Sequence, residues 1–173
     1  RKDVAALEEL ARWCRLNGLG EQAARVGEAL LAVEPDNELG KSIVIRDRLL
    51  VRSIPRNPEK DRALAEEFGR GFRVFVSRHF RIAYNTDEEY ARERALIFET
   101  LYEQFYRHFD RMGLPLRFLE DRVEVVLFAS QGEFAEFAGS RFPALALSGG
   151  FYSPPDNRAF FFDATGGPEF QGV

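Results

Sequence analysis

The sequence predicts an α+β protein: an N-terminal αα-hairpin followed by a small mixed or antiparallel sheet with packed helices. Three observations carry this. Apolar residues recur at three- and four-residue steps from Val4 as far as Leu50, the spacing of one buried helical stripe. Between Phe72 and Tyr84 the period changes to strict alternation. Farther on, Val123–Phe128 is apolar at every position but Glu124, as a central strand requires.

Val4, Leu7, Leu10, Ala11 and Cys14 form the first stripe, and Asn17-Gly18 stops it. Ala23, Val26, Leu30 and Val33 form the second, ending at Glu34-Pro35-Asp36-Asn37, where proline cannot continue a helix. A third helix runs from Asn37 to Val51 through Leu39, Ile43 and Leu50. Ser53-Ile-Pro-Arg-Asn-Pro58 reads as a linker whose last two residues start a short helix ending at Phe68: an Asx cap, then a proline where its missing N–H costs nothing. The expected organisation is therefore residues 1–52, a linker at 53–58, and an α+β region at 59–173.

In that region Phe72, Val74, Val76, Phe80, Ile82 and Tyr84 are all even-numbered, which predicts one long half-buried strand bent near Arg78. Its polar face would carry Arg73, Ser77, His79 and Arg81. Thr86-Asp-Glu-Glu89 is a capping box opening a helix with Ala91, Ala95, Phe98, Tyr102, Phe105 and Phe109 on one stripe. Met112-Gly113-Leu-Pro115 closes it. Ser130-Gln-Gly-Glu133 opens another, shorter helix, and Gly149–Tyr152, a Ser-Pro-Pro-Asp-Asn turn and Arg158–Asp163 predict a β-hairpin.

A net charge of −4 supplies no long-range attraction to nucleic acid or an anionic membrane. Although Arg70–Arg81 interleaves basic and aromatic residues as single-strand platforms do, most of those rings share the buried parity, so nucleic acid is not an expected partner. The apolar runs fall far short of the roughly 18–20 residues that span a bilayer, and the chain reads as soluble. Cys14 is alone, so no intramolecular disulfide and no Cys-x-x-Cys pair can form; its stripe position places it in the hairpin seam. Arg1 begins a charged amphipathic helix rather than a signal core, and the missing initiator Met points to residues upstream that were removed or left out.

Leu7, Leu10, Gly18, Ala23, Leu30 and Pro35 give the hairpin the punctuation of a tetratricopeptide unit, which it resembles over about 34 residues. Gly27 stands where that family usually has a bulky residue, and no second copy follows. From about residue 72, Ser77-Arg-His-Phe-Arg-Ile-Ala-Tyr84, the helix after it, Arg122–Ala129, Gly149–Tyr152 and Arg158–Asp163 resemble, in their order, a domain-of-unknown-function family of the peptidase-MA-like, or gluzincin, clan. The resemblance implies a zinc-peptidase fold in which the last strand precedes a His-Glu-x-x-His helix. Residues 1–173 stop at Phe170-Gln-Gly-Val173, where that helix would begin. The implied reading is the N-terminal part of a zinc-metallopeptidase-like protein, catalytically incomplete as given, with zinc bound only through residues beyond Val173.

In that reading the strand Arg158–Phe162 is the cleft edge, and Arg158, Ala159, Phe160 and Phe161 are the candidate substrate-binding residues, pairing with an extended peptide. Ordinary core aromatics are the alternative for the phenylalanines. No catalytic residue and no metal ligand is assigned. His79 and His108, the only histidines, are each followed by Phe and read as structural. Ser77 and His79 lack a nucleophile elbow, and Ser148-Gly149-Gly150 lacks the Lys and Ser/Thr of a phosphate loop. Glu133 with Glu136, and Asp163 with Glu169, are carboxylate pairs of acid–base type. The rival expectation is a non-catalytic module whose tetratricopeptide-like hairpin binds a protein or peptide partner.

Overall fold

A computed structural model of the chain describes residues 3–114 and 116–165. The protein is α+β and divides into two compact units: one of residues 1–52 and 100–118, the other of residues 53–99 and 119–173. Among the described residues no helix is long and apolar enough to cross a membrane.

In the first unit, α1 (Val4–Leu16) and α2 (Gly20–Val33) form the hairpin, and α3 (Glu38–Val51) follows. Asp3 caps α1 by accepting from the Ala5 and Ala6 amides, and Asn37 caps α3 by accepting from Gly40. Ala11, Cys14, Ala23, Leu30 and Ile43 form the buried seam, with Cys14 only 3% exposed. Gly27 is explained by packing. A Cβ there would come within 3.2 Å of both Ile43 and Val44, and one at Gly40 within 3.1 Å of the Gly27 carbonyl, so the two glycines let α3 lie close on α2.

The second unit starts with α4 (Pro58–Phe68), capped by Asn57. Its sheet comprises β1 (Arg73–Val76), β2 (Phe80–Tyr84), β3 (Val123–Phe128), β4 (Gly150–Ser153) and β5 (Arg158–Phe162), in the order β1-β2-β3-β5-β4. Strands β2, β3 and β5 run parallel, while β1 and β4 are antiparallel at the two ends. Helix α5 (Glu88–Arg111) connects β2 to β3 and continues into the first unit; α6 (Gln131–Arg141) follows β3. Ile82, Tyr84, Val125 and Leu127 pack with Ala91 and Ala95 of α5. On the opposite face Val126, Phe128 and Phe160 pack with Phe134 and Ala138 of α6 and with Phe68 of α4.

Two expectations are corrected. The long bent strand is a β1–β2 hairpin, with Ser77 N–H donating to the Phe80 carbonyl at 2.9 Å across Arg78-His79. That two-residue loop pairs Val74 with Ala83 and Val76 with Arg81, so even positions of β1 share a face with odd positions of β2. The shared parity is a coincidence of numbering across a turn. At α5 the cap is Asp87, which accepts from the Glu89 and Tyr90 amides, whereas the Thr86 hydroxyl donates to Asp163.

Candidate functional site

Strands β2, β3 and β5 end together, and parallel sheets commonly place ligands outside their carboxyl ends. Asn85, just past β2, accepts from the Ala129 amide at 2.7 Å and donates to Glu133 at 2.5 Å. Ser130 caps α6 by accepting from the Glu133 amide. Past β5, Asp163 prolongs the ladder by donating its N–H to the Phe128 carbonyl at 2.8 Å. Its carboxylate accepts from the Thr86 hydroxyl at 2.7 Å and from the Thr165 hydroxyl and amide at 2.6 and 2.9 Å. Burial pushes the Asp163 carboxyl up, but those hydrogen bonds, with the field of Arg94, hold it below the usual range. A satisfied, ionised carboxylate organises the loop beyond β5 and is not available to shuttle protons. Glu133 is likewise engaged by Asn85, and Glu169 lies outside the described residues.

The edge of the sheet is not where the sequence placed it. Strand β5 pairs with β3 on one side and β4 on the other, so the expected edge at Arg158–Phe161 is interior. Phe160 is 1% exposed within the core, Phe161 stacks on Phe98 at 5.6 Å, and Ala159 packs on the α5 side. The Arg158 guanidinium holds Glu124 at 2.6 Å and Glu67 at 2.7 Å and lies over the Phe68 ring. Strand β4 takes the edge position, with no partner on its outer side among the described residues. Its Tyr152 side chain is half exposed, and Gly150 lies flush on β5: a Cβ there would meet the Phe161 ring at 2.3 Å and the Phe160 carbonyl at 2.8 Å.

His79 is buried at the β1–β2 turn rather than on a polar face. Its Nδ1 lies 2.6 Å from Glu99 of α5, whose carboxylate also accepts from the His79 amide at 2.8 Å and the Ser77 hydroxyl at 2.6 Å. Ser77 donates to Glu99, which leaves the serine without the histidine contact that nucleophile activation needs. His108 is exposed near the end of α5, 3.5 Å from Arg111. Among the described residues no three His, Cys, Asp or Glu side chains converge to hold a metal.

Near the amino ends of the parallel strands lies a network the sequence reading missed. Arg81, 1% exposed, donates to Asp61 of α4 at 2.7 Å and to Glu124 of β3 at 3.2 Å. Arg122 donates to the Ser77 and Pro55 carbonyls at 2.7 and 2.8 Å, and to that of Ile54, tying the 53–58 segment to the sheet. Burial raises the Asp61 carboxyl, yet hydrogen bonds from Arg56 and Arg81 leave it below its ordinary value. Glu124, alone in an apolar central strand, was the legible signal, since a half-buried carboxylate there calls for a cation beside it. These groups pair with one another and hold α4 on the sheet, with Arg81 Nη2 alone in the network, among the described residues, buried 3.8 Å from its nearest carboxylate, Asp121, beyond hydrogen-bond range. Comparison with protein-family models, with curated proteins and with solved structures finds no match to this chain.

Proposed function

We propose that the second unit is the substrate-edge half of a gluzincin-like zinc-metallopeptidase domain, and that an extended peptide adds to its sheet along β4. One observation carries the proposal: a mixed five-stranded sheet with three parallel inner strands ends on a short antiparallel strand whose outer backbone groups have no partner among the described residues. An unpaired edge offers backbone donors and acceptors to a peptide, and half-exposed Tyr152 would contact alternate side chains. Bond cleavage is not assigned to these residues, because the His-Glu-x-x-His pattern does not occur in them.

Fluorescence polarisation with a labelled β-prone hexapeptide, Thr-Val-Thr-Val-Thr-Lys, tests the edge. Methylating alternate backbone nitrogens of the peptide should weaken binding about tenfold at every second position and leave the positions between unaffected. Uniform sensitivity, or no saturable binding, contradicts the proposal. Zinc content and chelator-sensitive peptidase activity of the protein isolated from its source test the peptidase half separately. A second reading, a protein-interaction module, is favoured by α1, where Trp13 and Leu16 are 53% and 66% exposed. Polar substitution of that pair would abolish partner capture under this reading and leave hexapeptide binding unchanged under the first.

A further inference from the structure

The first unit contains a feature that the peptide edge does not use. A cavity of about 50 Å³ lies among α1, α2, α3 and the end of α5, and three arginines line it: Arg15, Arg46 and Arg107. Only two carboxylates, Asp47 and Asp110, line it with them. Asp110 serves two arginines at once: Arg15 donates from Nε and Nη2 at 3.0 Å each, and Arg46 approaches through Nε at 2.8 Å. Arg107 is held by Glu103 at 2.8 Å, with Asp47 at 3.6 Å.

With Glu103 counted, the three guanidinium groups meet three carboxylates, so what the cavity offers an anion is unused N–H donors rather than excess charge. Arg46 uses one nitrogen on Asp110 and lies over the Phe118 ring at 6.0 Å, leaving both Nη groups without a hydrogen bond among the described residues. Phe118 is itself fixed by Tyr106, stacked at 4.8 Å with 6° between the rings. Gly20, the first residue of α2, also lines the cavity, and no side chain caps that helix. A Cβ on Gly20 would meet Arg107 Nη1 at 1.6 Å, so the guanidinium rests on the first turn of α2, where unsatisfied N–H groups carry positive partial charge. A cation held at that end is opposed by the helix dipole unless an anion lies between them.

We propose that this cavity binds a small oxyanion group, phosphate or carboxylate, held by the free nitrogens of Arg46 with Arg15, Arg107 and the first amides of α2 around it. Guanidinium forks match the paired oxygens of such groups. The volume of about 50 Å³ exceeds the roughly 10–15 Å³ needed for one water but suits a single headgroup rather than a nucleotide.

Titration of the intact chain with inorganic phosphate, and in parallel with malonate, at constant ionic strength tests this by calorimetry and by the Gly20 amide resonance. Saturable binding at about millimolar concentration or tighter is expected, with the Gly20 amide shifted. The tighter of the two ions identifies whether the site prefers a tetrahedral or a planar oxyanion. Arg46→Ala should weaken binding about tenfold or more, and Arg46→Lys should also weaken it, because the ammonium cannot present the fork. Arg62→Ala, in the other unit, should leave it unchanged. If Arg46→Ala fails to fold, Arg46→Lys and Gly20→Ala, which displaces Arg107, carry the test. Absence of saturable binding to either ion, or equal affinity in wild type and Arg46→Lys, overturns the proposal.

Discussion

Replacing Glu99 by Gln should destabilise the protein by about 2 kcal/mol at neutral pH and by almost nothing near pH 2. The Glu99 side chain is 8% exposed and accepts from the Ser77 hydroxyl and the His79 amide, with His79 Nδ1 at 2.6 Å. Burial alone would push its carboxyl up; the hydrogen bonds from His79 and Ser77 outweigh burial and bring it from 4.5 to about 2. At about 1.4 kcal/mol per pH unit that gap corresponds to roughly 3 kcal/mol, which solvent screening reduces to about 2. Because the folded value lies below the unfolded one, the stabilisation is complete above about pH 4.5 and is lost as pH falls toward about 2. Gln keeps the shape and one acceptor but not the charge. Urea unfolding of wild type and Glu99→Gln in parallel from pH 7 to pH 2.5 isolates the effect, since other carboxylates cancel in the difference. A difference below about 0.5 kcal/mol at pH 7, or one that stays constant with pH, would refute the role assigned to Glu99.

Asp61→Ala should cost about 3 kcal/mol by leaving the Arg81 guanidinium buried with one carboxylate fewer, and Arg81→Met in the same chain should recover part of that loss; urea midpoints decide. Gly150→Ala should cost about 2 kcal/mol, because the new methyl has no room against Phe161 and the Phe160 carbonyl and the residue sits at φ +152; thermal unfolding reads this directly. Cys14 should react with a thiol reagent at least about a hundredfold more slowly in the folded chain than in urea, as its burial requires.

Much of the fold was legible because local chemistry and tertiary packing agree. Asn57-Pro58 does start α4, Ser130 does cap α6, and Val123–Phe128 lies between two parallel neighbours as its two apolar faces imply. Errors arose where a long-range partner decides. Alternation through Phe72–Tyr84 looked continuous because the two-residue turn at Arg78-His79 contains no glycine or Asn-Gly signal, and it is stabilised by Glu99, some twenty positions away. Thr86 looked like a cap because its attachment to Asp163 is invisible along the chain. That Arg158–Phe161 is interior follows from the connection that brings β4 outside β5, which the strands' composition does not reveal. Arg81 has the parity of a polar strand face, but Asp61 and Glu124, distant in sequence, close over it. The arginines of the cavity come from three helices at distant positions, and nothing in their local sequence brings them together.

Hydrogen exchange along β4 tests the peptide edge most directly. With the hexapeptide at saturation, amides within Gly150–Ser153 should slow by about tenfold or more while those of α1 keep their rates. Unchanged exchange along β4, or protection confined to α1, would contradict peptide addition at this edge and favour the hairpin as the binding surface.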